Sequence, residues 1–154
     1  MLGFPILTFI VFIPIVGMLV VLLLPKENVK GIKYTSLIFT FLQLILAAIL
    51  MLNFNYSAPG ISDLNTFQFV ENVRWIQVDN VAFLGTIKID YLIGVDGLSA
   101  PLILLSAVIF FIDSISSWSK SKSTKGNLAM FLLLDSATLG VFVSLDFLIL
   151  FLLF

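Results

Sequence analysis

Long apolar runs separated by short polar turns set the pattern of this chain. Leu2 to Leu24 carries one polar side chain, Thr8, and closes at Pro25 and Lys26; Tyr34 to Leu52 is interrupted by Thr35, Ser36, Thr40 and Gln43. Leu98 to Ser117 and Asn127 to Ser144 have a similar character, and Asp146 to Phe154 opens a further apolar segment. Runs of roughly 18 residues or more, rising about 1.5 Å per residue, match the ~30 Å hydrocarbon core of a bilayer. The pattern predicts an all-α integral membrane protein of about five transmembrane helices, at 2–24, 34–52, 98–117, 127–144 and 146–154, the last of them truncated. A single helix over the 28 residues from Asn127 to Phe154 would extend about 42 Å, too long for one span. A break is therefore expected at Ser144 to Asp146, with Asp146 capping the start of span five.

Residues 53–97 depart from this pattern. Asn, Ser, Pro and Gly appear first, and then Ile87, Ile89 and Tyr91 alternate with Lys88, Asp90 and Leu92, the period-two signature of a half-exposed strand. With Thr66 to Val78 as its partner, this segment predicts a small β-hairpin at the membrane surface, where Trp75 and Tyr91 suit the headgroup level. The turn Gly94 to Ser99 leads into span three, with Asp96 as helix N-cap, Gly97 and Ser99 in the turn, and Pro101 in the first helical turn. Pro14, interior to span one, predicts a kink, and packing explains it more simply than a gate does.

Composition narrows the function. The chain is 60% hydrophobic and only 11% charged, against about 25% charged residues in an ordinary soluble domain. The first run lacks a positive leader and a small-residue cleavage site, so it reads as an uncleaved span. A net charge of −1 points to neither nucleic acid nor an anionic ligand. With no cysteine and no histidine, the segment lacks the usual ligands for zinc, haem and iron–sulfur clusters, and no redox chemistry of its own is expected. Lys26, Lys30, Lys33, Lys120, Lys122 and Lys125 fall in the turns after spans one and three, against Arg74 and Lys88 on the other side. The positive-inside rule then places the lysine turns in the cytoplasm and the N-terminus and hairpin outside.

Polar residues within the spans are the candidates for chemistry. A carboxylate at the centre of a membrane helix costs about 2.5 to 3.5 kcal/mol on insertion scales, so such an acid is a functional-site hypothesis by default. Asp135, near the middle of span four, meets that description and is the candidate for a proton relay; the alternative is a protonated, purely structural acid bonded to Thr138 or to a neighbouring helix. Thr138 and Asp113 are weaker relay candidates. Ser99, Ser106 and Asp113 recur every seven residues and are expected on one face turned away from lipid, with Asp113 solvated near the far end of its span. Ser136, Gly140 and Ser144 form a small-xxx-small stripe expected to admit another helix at close range. Gln43 is expected to bond across helices in preference to lining a wet path.

The segment Tyr91-Leu92-Ile93-Gly94-Val95-Asp96-Gly97-Leu98-Ser99, preceded by Trp75-Ile76 and followed by Ser117-Trp118, resembles the chain 4 (subunit M) family of proton-pumping NADH:quinone oxidoreductase, respiratory complex I. Phe131 to Asp135, Gly140-Val141-Phe142 and Leu145-Asp146 continue the likeness. The resemblance implies an N-terminal piece of an antiporter-like subunit of about fourteen spans that transports protons without carrying electrons. NADH, FMN, iron–sulfur clusters and quinone would act elsewhere in the complex, with other membrane subunits and the bilayer as partners. Asp135 stands where the family usually has a glutamate, one methylene longer. The resemblance places the family's principal glutamate just beyond Phe154 and its lysine partner in span seven, and it transfers no role to Asp113. A bacterial plasma membrane is expected ahead of an organellar one. The competing reading is a subunit of a multisubunit cation/proton antiporter, which shares the fold without a redox partner; an assembly scaffold is a third.

Overall fold

A computed structural model describes residues 5–55, 67–81, 85–118, 125–145 and 150–151, with the backbone alone over 72–81 and 85–90. Four helices, α1 (Ile6–Leu23), α2 (Val29–Asn53), α3 (Ser99–Ser116) and α4 (Lys125–Val143), form a bundle in which α1 packs on α2 and α4, and α3 packs on the same two. Two antiparallel strands, β1 (Gln68–Val81) and β2 (Gly85–Val95), make the predicted hairpin. All four helices are long and apolar enough to cross a membrane. Span five lies almost wholly outside the described residues, as does Asp146.

The outer faces show what surrounds the bundle. Phe12, Val16 and Leu19 on α1, Ile38, Phe41 and Ile45 on α2, and Leu105, Ile109 and Ile112 on α3 are all exposed, at the three-to-four-residue spacing of a helix face. An apolar exterior of this extent suits lipid tails and protein partners, not water. The buried polar side chains among the described residues are Ser36, Thr40, Gln43, Ser114, Asp135 and Ser136.

Apolar packing falls into two clusters. Toward the hairpin lie Leu7, Ile10, Ala47, Leu50, Ile93, Ile103 and Leu139; toward the lysine turns lie Val21, Ile32, Leu128 and Leu132. On α2 and α4 the buried residues between the clusters are polar: Ser36, Thr40 and Gln43 on one helix, Asp135 and Ser136 on the other. The bundle thus carries a polar layer near mid-depth between two dry ones.

The helix ends differ from the sequence expectation for local reasons. α2 begins at Val29, five residues before the predicted start, because the side chain of Asn28 accepts the Gly31 N–H at 3.0 Å and caps it. Lys30 and Lys33 therefore lie on the helix. Lys33 Nζ donates to the Trp118 carbonyl at 3.2 Å, and Lys125 Nζ to the Leu24 carbonyl at 2.7 Å, placing cations beside the C-terminal ends of α3 and α1. Tyr34 packs edge-on against Trp118 at the same level, with ring centroids 4.7 Å apart.

At the other end, α1 has Pro5 at its N-cap, which supplies no capping side chain. Glu71 substitutes for one: its carboxylate accepts the Leu7 N–H at 2.9 Å, the Thr8 N–H at 3.2 Å and the Thr8 hydroxyl. A carboxylate at a helix N-terminus meets both unpaired donors and the positive end of the dipole. The residues leading to Glu71 include a register slip between Gln68 and Glu71, within which Phe69 takes φ of 55°. That left-handed conformation costs a side-chain-bearing residue about 1–2 kcal/mol. Further along, the Leu145 N–H donates to the Leu92 carbonyl at 3.2 Å, so β2 also holds the chain as it leaves α4. Gly94 permits this approach, since a Cβ there would stand 2.7 Å from Leu145 Cδ1.

Thermal unfolding of the detergent-solubilised chain checks this packing at Glu71, Gly17 and Gly97. Glu71→Ala, which strips the cap from α1, should destabilise by about 2 kcal/mol, and Glu71→Gln, which keeps an acceptor, by clearly less. Gly17→Ala should cost about 1–3 kcal/mol by overpacking, because its Cβ would meet Phe39 Cγ at 2.7 Å and Cβ at 2.9 Å. Gly97→Ala, with nothing within 4 Å of the new methyl, should be near neutral.

Candidate functional site

Asp135 is the eleventh residue of the 19-residue α4, about 15 Å along the helix and near the middle of a span. It is fully buried, at 0% exposure, and so is Gln43 on α2. Gln43 Nε2 donates to Asp135 Oδ1 at 2.8 Å. The other two polar atoms of the pair, Gln43 Oε1 and Asp135 Oδ2, are buried and have no hydrogen-bond partner. The carboxyl thus faces the bundle interior, with one oxygen satisfied and one open.

Neighbouring polar groups surround this pair without completing it. Ser136 Oγ donates to the Val11 carbonyl at 2.6 Å. That carbonyl lies three residues before Pro14 and one after Ile10, whose carbonyl is the one that the proline leaves without a helical donor. The predicted stripe thus meets α1 at Ser136, Gly140 is buried one turn further on, and Ser144 pairs with Ile93 of β2 through a backbone bridge. The helix that the small residues admit belongs to this same chain. On the lysine side of the pair, Ser36 Oγ and Ser114 Oγ meet at 3.3 Å, and Thr40 Oγ1 donates to the Ser36 carbonyl at 3.0 Å.

Other residues singled out in the sequence lie apart from the site. The Thr138 hydroxyl donates to the Leu134 carbonyl at 2.8 Å, one turn back on its own helix, so the interhelical partner of Asp135 is Gln43 and not Thr138. Asp113 is exposed, and Ser99 and Ser106 are only half-buried. The expectation of a sheltered Ser99/Ser106/Asp113 face is corrected: the buried face of α3 is Ala100, Ile103, Ala107 and Ser114, rotated by one residue, because the small residues Ala100 and Ala107 allow the close approach.

Asp96 Oδ1 accepts the N–H groups of Ser99 at 2.6 Å and Leu98 at 3.2 Å at the start of α3. Partial burial acts to raise its pKa, but the hydrogen bonds from Ser99 and Leu98 outweigh it and hold the carboxyl below the usual carboxylate range. Tyr91 sits beside Thr8, oxygen to oxygen at 3.4 Å. Burial pushes its phenol up; the Thr8 hydroxyl works against this, and the charge of Glu71 adds to the rise.

Glu71 escaped the sequence reading. Its signal was faint: an acid in a strand, together with a first span that opens on Pro5 with no Ser, Thr, Asp or Asn at the cap position. The Gln43 partnership was nearer to hand, since Gln43 and Asp135 occupy the same depth in their respective spans.

Asp96 gives a pH prediction with a definite sign. A carboxyl whose folded pKa is depressed stabilises the fold above its unfolded pKa and loses that contribution as pH falls through the folded value. The thermal midpoint difference between wild type and Asp96→Ala should correspond to about 1 kcal/mol and stay constant above roughly pH 5. It should shrink steadily as the pH is lowered below the ordinary carboxylate range.

No protein-family model matches the chain. Among curated proteins, it is 30% identical over 149 residues to the chloroplastic NAD(P)H-quinone oxidoreductase chain 4 of Chaetosphaeridium globosum, covering 97% of this chain and 27% of that protein. It is 30% identical over 158 aligned positions to NADH-quinone oxidoreductase subunit M of Rickettsia prowazekii, covering 100% of this chain and 29% of that protein. With NAD(P)H-quinone oxidoreductase chain 4 3 of Picosynechococcus it shares 31% identity over 149 residues, covering 97% of this chain and 25% of that protein. The chain therefore spans between a quarter and a third of the length of these relatives, which are both bacterial and chloroplastic. Over 97–100% of its length, the sequence is similar to chain 4, or subunit M, of the NAD(P)H-quinone oxidoreductases.

Proposed function

We propose that this chain is part of a proton-translocating membrane subunit of an NADH:quinone oxidoreductase, with Asp135 as a proton-relay carboxyl. The observation that carries the reading is a fully buried acid at mid-membrane, held by a neutral amide, with one oxygen left open. Intramembrane acids of this kind mark proton relays in pumps and transporters. The names of the relatives favour the oxidoreductase over a free-standing antiporter.

In this reading, electrons never enter the chain. NADH oxidation and quinone reduction, with the flavin and iron–sulfur clusters that serve them, belong to other subunits, in keeping with a sequence that offers neither histidine nor cysteine. Coupling reaches this subunit as a change in the protonation or position of intramembrane groups. The bundle's contribution is to exclude water and lipid from Asp135 while fixing its orientation. In a bacterial plasma membrane, the end bearing Lys33 and Lys125 faces the cytoplasm and the hairpin faces outward.

The test is Asp135→Ala in the full-length subunit, with proton transport measured per electron transferred in the assembled complex. Pumping should fall severalfold while assembly persists. Unchanged pumping in a normally assembled complex would remove the relay role.

A further inference from the structure

Two buried oxygens at the centre of the bundle lack hydrogen-bond partners. Gln43 and Asp135 already share the bond from Nε2–H to Oδ1 at 2.8 Å. What remains on the same two side chains is one oxygen each, Oε1 and Oδ2, both shut away from solvent and neither bonded. As an amide and a carboxylate, these two oxygens are both acceptors and cannot satisfy one another. Leaving both unsatisfied in a dry interior is among the costlier arrangements a protein can hold. A single proton on Oδ2 converts that oxygen to a donor, and Gln43 Oε1 is an acceptor still without one.

We propose that Gln43 is the positioning residue of Asp135, and that in the resting protein the two side chains form a closed ring of two hydrogen bonds, Nε2–H to Oδ1 and Oδ2–H to Oε1. This deepens the relay reading and rests on it for its role in transport, but the ring is a structural statement that stands separately. Among the described residues of the four helices, no charged side chain lies at the level of the pair. α1 carries no ionisable side chain, while Lys30 and Lys33 of α2, Asp113 of α3 and Lys125 of α4 all lie toward the lysine-bearing end. Gln43 and Asp135 are also on different helices, so the ring joins α2 to α4 across the polar layer. The proton is retained while the ring is closed and becomes available when the helices part or Gln43 turns. Gln43 is then a latch on the carboxyl, itself never ionised.

The ring predicts what each substitution does. Asp135→Asn offers Nδ2–H in place of Oδ2–H and keeps both hydrogen bonds, so the complex should assemble normally. Gln43→Leu or the length-matched Gln43→Met removes both partners.

The experiment is infrared spectroscopy of the assembled complex with the full-length subunit, comparing wild type with Asp135→Asn to isolate the carbonyl stretch of a protonated acid. The expected result is one such band in wild type that is lost in Asp135→Asn and shifts to higher wavenumber in Gln43→Leu or Gln43→Met, as the carbonyl loses its donor. Absence of an acid band in wild type overturns the ring, as does a band that stays in place when Gln43 is replaced. Failure of Asp135→Asn to assemble also counts against it. Since the wild-type comparison needs no Gln43 variant, poor folding of those variants leaves the ring falsifiable. Normal pumping by Asp135→Ala would remove the relay reading without touching the band, so the two ideas fail separately.

Discussion

Every polar group placed inside a hydrocarbon slab must find its partner within the protein, and the arrangement of this bundle follows from that constraint. The faces toward the surroundings are phenylalanine, leucine, isoleucine and valine, while serine, threonine, glutamine and aspartate turn inward to meet one another or a backbone carbonyl. The Gln43–Asp135 contact is the most demanding case. Its members lie 92 residues apart in sequence, and their bond fixes the relative height and rotation of α2 and α4. Ser136, the next residue along, ties the same level of α4 to α1 beside its proline, so three of the four helices are registered at one depth.

The hairpin solves a related difficulty at the membrane edge. Helix α1 begins on a proline with the N–H groups of Ile6, Leu7 and Thr8 lacking helical acceptors and no capping side chain at Pro5. Glu71 supplies the acceptor from 64 residues away, and the hydroxyls of Thr8 and Tyr91 complete the contact. The same hairpin reaches the end of α4 through Leu92 and Gly94. A segment that departs from the regular ladder at three places, two of them in its outer part, is thus anchored to the first and fourth helices by its inner part.

These anchors bear on the relay role proposed for Asp135, because a carboxyl in such a role is useful only if its surroundings are reproducible. Two dry clusters above and below the polar layer keep water from reaching Asp135 at random. An amide partner holds the carboxyl without pinning its charge, as a lysine or arginine would. A carboxyl so held responds to small changes in helix packing or in a nearby charge.

The one-dimensional sequence determined the class of structure, since runs of apolar residues of membrane length leave few alternatives once each backbone bond must close within its own helix. It also determined that Asp135 is the acid at mid-depth, that a hairpin lies between spans two and three, and that Asp96 stands at a helix start, because spacing and composition are local properties. Sequence spacing could not settle which way a helix is turned: the buried face of α3 missed Asp113 by one residue, and the stripe on α4 met α1 of the same chain. Nor could it pair Gln43 with Asp135 or bring Glu71 to the first helix. Such pairings depend on how elements distant in the chain are rotated and raised against one another, which packing decides and no local pattern encodes.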